Sequence, residues 1–425
     1  MRKPAMQFSK TVLANGVRVI SERVPGVESV SIGIWVHVGS RDEPARVSGV
    51  SHLIEHMVFK GTKKRSAVEI AEALESLGGS INAFTSREHT CYYVRILSDH
   101  LPKAMEILGD MLNNAVFSPR DLRKERQVII EEINDVIDTP SDYVHDLFVE
   151  QMWNSHPLGQ PIFGKAKTVK SLNRERMLDF YGTHYQSANI VVAATGDVSH
   201  PALVNLSKKY FEWPAGRAER NGALPEPGGL TIKANAKKST QTHVCLGFPS
   251  IGFPDQRRYL LSAINTYLSS GMSARLFQKV REEAGLCYSI YSYQDFFRDS
   301  GFFCVYFGAD AKQVIRATNI VLKELRRLKE TLLNRSELAK IKEQLKGNMT
   351  LSQESMYNRM NRIAQHELLL NAYIELSRQR RIVDSLTARQ IRDMANLIFD
   401  RDKMALCSLG PTTRRELQSV RWSRL

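Results

Sequence analysis

No stretch of this chain holds the roughly 20 consecutive apolar residues that a membrane-spanning helix needs, so an integral helical membrane protein is excluded by the sequence. No signal-peptide core is legible either. The opening residues MRKPAMQFSKTVLANGVRVISERV pass directly into a strand, an Asn-Gly turn and a second strand. The long Arg/Ser-rich amphipathic prelude of a mitochondrial transit peptide is also missing, which leaves a cytoplasmic bacterial protein as the expectation. Cysteine is scarce. The five residues Cys91, Cys245, Cys287, Cys304 and Cys407 are scattered, odd in number and outside any motif. That excludes a disulfide framework and a thiolate metal site, and predicts buried thiols in a reducing compartment.

Charge of one sign is in excess, at a net +14. A basic chain invites a nucleic-acid reading, but no aromatic–glycine RNA-binding motif and no zinc-finger spacing accompanies the charge. The excess is spread along the chain, with clusters such as Arg378–Arg381 and Arg326–Lys329 on predicted helix surfaces. A solvated basic surface follows, with no nucleic acid as partner. With 425 residues the chain is too long for one ordinary core, and two to three domains are expected. Its 43% hydrophobic and 24% charged residues describe a globular protein.

Within the apolar segment Val50–Phe59 stands His52-Leu53-Ile54-Glu55-His56. Residues four apart share a helix face, so His52 and His56 can offer two imidazoles to one metal ion. Glu55 lies on the same side, within reach of a water held there. This is the His-x-x-Glu-His order, the zinc-peptidase motif written in reverse. A catalytic zinc takes three protein ligands and keeps one open position. One source for the third is Ser118–Asp138, SPRDLRKERQVIIEEINDVID, which begins with a Ser N-cap and a Pro at the first helical position. Val128, Ile129, Ile133, Val136 and Ile137 recur at helical spacing. Glu125 and Glu132, two turns apart, share one face, and Glu131 points about a quarter turn away. By itself an acid-rich helix is ordinarily a solvated face.

One unit occurs twice in the chain. In the first half a strand over Val30–Gly39 leads to the motif helix, then a strand pair over Ile81–Ile96, helices, and a closing strand Asn189–Gly196. In the second half strand His243–Phe248 leads to helix Asp255–Leu268. Strands around Tyr288–Tyr293 and Gly301–Gly308 follow, then a helical region over Ala311–Asn371 and the closing strand Met404–Leu409. Ala215–Gly229 (AGRAERNGALPEPGG) has the Gly, Pro and charge of a linker. Irregular alternation of strands and helices predicts an α+β fold: two homologous α/β-sandwich domains, from an internal duplication. The boundaries expected are 1–215, a linker over 216–229, and 230–425. Around Ala263–Thr266, where the second repeat should carry the metal motif, the residues are apolar and neutral, so only the first repeat keeps metal chemistry.

HLIEHMVFKGT, INAFTSREHTCYY, ERQVIIEEI and HPLGQPIFG, in this order and spacing, resemble the insulinase (pitrilysin) family of zinc metallopeptidases. The resemblance spans nearly the whole chain. It is nearest to bacterial members that are similar to the β subunit of the mitochondrial processing peptidase. It implies a third ligand 76 positions after the second motif His, which is Glu132, and a supporting Glu seven residues earlier, which is Glu125. It implies one zinc per chain, a clamshell-like chamber between the halves, and peptide substrates added as a strand along Asn82, Ala83 and Phe84. Asn82 is the candidate for orienting substrate near the metal. SSGMSARLFQKVREEAGLCYSIYSY resembles the family's substrate-clamping region and implies that Arg281 and Tyr288 bind substrate, Tyr288 donating to an oxyanion. The function implied is a zinc-dependent endopeptidase cleaving peptides or unfolded polypeptide segments. Zinc on His52, His56 and Glu132 activates a water, Glu55 removes its proton, and Glu125 orients the ligands. A homodimer is expected. The alternative is a non-catalytic structural or assembly subunit of the same family, which usually lacks motif residues.

Overall fold

The structure, a computed structural model, describes residues 7–425 apart from positions 155, 212, 214, 219 and 221, and Arg424 by its backbone alone. The first six residues of the N-terminal stretch and two positions of the expected linker therefore lie outside the described residues. Two compact units are formed. The first contains residues up to Asn134, Gln160–Gly222 and Leu351–Tyr373; the second contains Asp135–Gly159, Ala223–Thr350 and residues from Ile374 onward.

In the first unit, β1 (Gln7–Val12), β2 (Arg18–Arg23), β3 (Ser29–Val36), β4 (Ser80–Thr85), β5 (Thr90–Leu97) and β6 (Ile190–Gly196) form one sheet. Its order is β1-β2-β6-β3-β5-β4, with β2 and β6 parallel and the other neighbours antiparallel. β3, SVSIGIWV, is rich in β-branched and aromatic residues and is buried beyond its first residue, as a central strand covered on both faces should be. Ile32, Ile34 and Val36 face a core shared with the motif helix Val50–Val58 and the helix Leu101–Asn114. Trp35 faces the other way, with Ile20, Cys91, Val191 and Ala193.

The second unit repeats the plan with β7 (Thr231–Ala236), β8 (Thr242–Ser250), β9 (Cys287–Phe296), β10 (Gly301–Ala309) and β11 (Ala405–Gly410). Its order, β7-β11-β8-β10-β9, with β7 and β11 parallel, reproduces β2-β6-β3-β5-β4 in position and direction. The duplication predicted from the sequence is thus present in five strands of each sheet, β1 being the one addition in the first. The counterpart of the motif helix is Arg258–Ser269, whose Ala263, Ile264 and Thr266 are buried and which carries no His, Asp or Glu.

The compact units differ from the contiguous division at 216–229, because each sheet has two apolar faces and local helices cover only one. The other face of the first sheet is covered by helix Met356–Leu370, which comes from the second half of the chain. Its Met360, Ile363, Ala364 and Leu368, at helical spacing, bury Trp35, Ile20 and Val191. Polar groups anchor the same helix. Glu22, 1% exposed, is paired with Arg359 and Arg362; Glu367 accepts from Lys10 at 2.8 Å and from Arg18 at 3.3 Å. In exchange, helix Pro140–Met152, from the first half, packs Val144, Phe148 and Met152 on Phe302, Cys304 and Cys407 of the second sheet. Gly247 makes this approach possible: a Cβ there would stand 2.4 Å from Phe148 Cζ. All five cysteines are free thiols, and all but Cys287 are buried. Among the described residues no helix is long and apolar enough to cross a membrane.

Candidate metal centre

The motif helix Val50–Val58 starts without a side-chain cap of its own, at Gly49 with φ +93°. Glu43 supplies the missing acceptor. Its buried carboxylate takes the N–H of Gly49 at 2.6 Å and of Ser51 at 2.7 Å, satisfying donors that the helix start leaves open. Burial nevertheless pushes the Glu43 carboxyl up to about 7 against those two bonds. Gly49 and Gly164 meet backbone to backbone, a Cβ on Gly164 standing 2.7 Å from Gly49 Cα. This seats Phe163 against the motif, its ring edge-on to His52 at 4.7 Å.

One turn apart on this helix, the rings of His52 and His56 lie 4.6 Å from each other. The helix Pro119–Asp138 brings Glu132 to both: His52 Nε2 is 3.9 Å from Oε2, and His56 Nε2 is 3.7 Å from Oε1. These separations are too long for hydrogen bonds. Two ligands on one tetrahedral zinc, each about 2.0–2.2 Å from the ion, stand roughly 3.4 Å apart, so the three groups are spaced to surround an ion. Their donor atoms all lie within 4.8 Å of one another, the one such trio of His, Cys, Asp or Glu among the described residues. Glu132 Oε2 is buried without a hydrogen-bond partner, an arrangement that a cation would satisfy. Burial, reinforced by His56, lowers the His52 pKa to about 3. Its imidazole is therefore neutral, as metal ligation requires. The donor set fits zinc.

Glu125 sits behind His56, 5% exposed. Its Oε2 lies 3.2 Å from His56 Nδ1, while Lys60 Nζ holds Oε1 at 2.9 Å. A carboxylate only accepts, so Nδ1 carries the proton and Nε2 keeps its lone pair toward Glu132. Glu131 is exposed and accepts from Gln127 at 2.6 Å; it takes no part in the trio.

Glu55 lies beside the trio with Oε2 held by the Thr85 hydroxyl at 2.5 Å. Burial raises its carboxyl above the ordinary value; the Thr85 hydrogen bond and His56 act against this, and Glu132 adds to it. Thr85 was not singled out in the sequence, although strict alternation along β4 puts it on the face of Ala83. That face packs on the motif-helix core, whereas Asn82 and Phe84 point to the opposite face, Phe84 meeting Trp35 edge-on at 5.5 Å. The expectation of an Asn82 side chain orienting substrate near the metal is corrected accordingly. Asn82 instead accepts from its own neighbour, Ala83 N, at 2.8 Å. Among the described residues β4 pairs only with β5, so its other edge has no strand partner.

Arg281 and Tyr288 belong to the second unit. The Arg281 guanidinium lies over the Tyr288 ring at 4.8 Å and the Phe277 ring at 4.6 Å. Tyr288, on the edge strand β9, is 74% exposed, far more than the half-buried strand aromatic that alternation alone predicts.

Comparison with known proteins accords with this geometry. Residues 18–166 match the model of the insulinase family, peptidase family M16, and residues 171–345 match that of the peptidase M16 inactive domain. The chain is 38% identical over 417 residues to an uncharacterized zinc protease of Streptomyces coelicolor, covering 95% of this chain and 89% of that one. It is also 38% identical to the uncharacterized zinc protease YmxG of Bacillus subtilis, covering 94% and 97%. Among solved structures, a protease from Helicobacter pylori superposes with a TM-score of 0.88 at 23% identity, covering 96% of this chain and 100% of that one. A peptidase M16 inactive domain from Pseudomonas fluorescens does so with a TM-score of 0.89 at 21% identity, covering 96% and 98%. The structural matches speak to the fold, and the sequence matches to descent: the chain belongs to the insulinase family of zinc peptidases, family M16.

Proposed function

We propose that this chain is a zinc-dependent endopeptidase acting on peptides or unfolded polypeptide segments, with Glu55 as general base. One zinc ion would be held by His52, His56 and Glu132. The observation that carries the reading is the convergence of these three groups, with Glu55 on the same helix. Zinc held there would supply Lewis acidity, lowering the pKa of a water toward neutrality and stabilising charge on the scissile carbonyl oxygen.

The chain's own residues do the rest. With Oε2 tied to Thr85, Glu55 has Oε1 left to accept the proton of the attacking water. Glu55, whose carboxyl burial raises, then passes that proton to the scissile nitrogen as the amine leaves. Glu125 keeps His56 in the tautomer whose Nε2 can ligate. A substrate strand added to the open edge of β4 would form backbone hydrogen bonds beside Ala83 and Thr85, which suits a peptidase with broad side-chain tolerance. Arg281 and Tyr288 are assigned to substrate binding from the second unit; an exposed Tyr stacked under an Arg leaves its hydroxyl free to donate to an oxyanion.

The test is metal analysis of the purified chain together with mass-spectrometric mapping of cleavage of an unstructured peptide library. About one zinc per chain and chelator-sensitive cleavage are expected. Full zinc without cleavage would point instead to a non-catalytic subunit. Two narrower results are expected. Glu132→Gln should weaken zinc binding by more than the roughly 10–100-fold typical of outer partners, whereas Glu131→Gln, altering an exposed side chain, should retain normal zinc content. The reverse ranking would shift the ligand helix by one residue. Tyr288→Phe should lower kcat by about 10²-fold, as loss of an oxyanion donor does, with unchanged zinc content and melting temperature. Full activity in Tyr288→Phe and Arg281→Ala alike would leave the second unit a purely structural role.

A further inference from the structure

Residues 160–164, the end of HPLGQPIFG, lie against the metal motif without supplying a ligand. Gly164 N donates to Pro161 O at 3.0 Å, closing a tight turn that carries Phe163. The turn is pressed onto the start of the motif helix. A Cβ on Gly164 would stand 2.4 Å from Ser48 O, and one on Gly49 would stand 2.6 Å from Phe163 O. Both glycines have positive φ, +74° and +93°, so a side chain at either would strain its own backbone and push the other away. Gln160 Nε2 donates to Glu43 O at 3.2 Å, joining the turn to the residue whose carboxylate caps the helix. Phe163 is thereby fixed relative to the first helical turn, where His52 stands.

A ligating imidazole has to be held at its last torsion, whose wells are broad. Ordinarily the second ring nitrogen does this by donating to a carboxylate, a carbonyl or water. His56 follows the rule through Glu125. His52 does not. Its Nδ1 is buried and has no hydrogen-bond partner among the described residues, while Nε2 faces Glu132. The rings packed on it are Phe163, at 4.7 Å and 89°, and His56, at 4.6 Å and 62°. His56 is itself one of the trio. The aromatic wall that limits rotation of His52 from outside the trio is Phe163.

We propose that Phe163 is a positioning residue for the metal centre, doing for His52 by packing what Glu125 does for His56 by a hydrogen bond. The inference rests on the reading of His52, His56 and Glu132 as the zinc ligands. A ring at position 163 keeps the imidazole plane turned so that Nε2 points into the trio. A flexible aliphatic chain there would let the plane swing, and binding an ion would then have to order it. Packing does not polarise Nδ1–H, so His52 gains orientation from Phe163 but no added basicity.

Zinc affinity by chelator competition, the absorption spectrum of the cobalt-substituted chain and thermal melting are measured on the full-length protein. The variants are Phe163→Leu, Phe163→Tyr and, as control, Phe211→Leu. Phe211 is buried in the first unit's core with its ring stacked on Trp213 at 4.9 Å. Phe163→Leu is expected to raise the zinc Kd about 10–100-fold, as loss of an orienting partner does, and to weaken the cobalt bands of a tetrahedral site. Phe163→Tyr, which keeps the ring, should bind zinc as the wild type does. Phe211→Leu should lower the melting temperature and leave the zinc Kd unchanged. Should Phe163→Leu fail to fold, Phe163→Met, a closer fill of the space, carries the same expectation. Wild-type affinity in a folded variant without the ring, or equal loss of affinity in Phe163→Leu and Phe211→Leu, would overturn the proposal and leave the zinc reading standing. A wild-type chain that takes up no zinc would overturn both.

Discussion

Glu55→Gln is expected to purify with the zinc content of the wild type and to lose peptidase activity by up to about 10⁴-fold, the upper range for a general acid–base group. Glu55 stands outside the ligand trio, so the metal should stay. Gln has nearly the same shape and keeps an acceptor for the Thr85 hydroxyl, so the motif helix and the hydrogen bond to β4 should persist. What the amide cannot do is take a proton from water at neutral pH. The loss should fall on kcat and kcat/KM together, because the proton transfer belongs to the transition state. Zinc analysis and peptide cleavage on the same preparation decide the matter. A variant within tenfold of the wild-type rate would sink the assignment of Glu55 as base.

The second large effect concerns the helix exchange. A fragment of residues 1–215, which a contiguous domain division would treat as self-sufficient, is expected not to fold. It lacks helix Met356–Leu370, and with it the cover over Trp35, Ile20, Cys91 and Val191. Losing the burial of Met360, Ile363 and Leu368 forfeits about 5–9 kcal/mol, at about 1.5–3 kcal/mol per large apolar side chain. That is comparable with the whole stability of an ordinary domain, about 5–15 kcal/mol. The fragment also retains helix Pro140–Met152 without the sheet on which it packs. Attaching residues 351–373 to the fragment through a flexible linker should restore a cooperative thermal transition and zinc binding. Circular dichroism melting of the two fragments makes the comparison; a cooperative transition in 1–215 alone would show that the borrowed helix is dispensable.

Much of the centre was legible in the sequence because helical period is a strictly local property. His52 and His56, four apart, must share a face once Val50–Val58 is a helix, and Glu125 and Glu132 must share one once Pro119–Asp138 is. Apolar strand patterns located the strands of both sheets other than β7, and the recurrence of the same order announced the duplication. The choice of Glu132 over Glu131 rests on family resemblance in the sequence; in the structure Glu131 is exposed and bonded to Gln127, while Glu132 lies toward both imidazoles.

Tertiary structure alone decided what meets these local patterns. Glu43 as the acceptor for the motif helix, Phe163 against His52, and Thr85 on Glu55 join positions 6 to 111 residues apart, which no period in the sequence relates. The same holds for the two exchanged helices. Alternation says that β3 and β10 are apolar on both faces and must be covered twice, so the demand for a cover is written locally. Which helix provides it is settled only by packing: a face does not specify its partner, and here each sheet takes one from the other half of the chain.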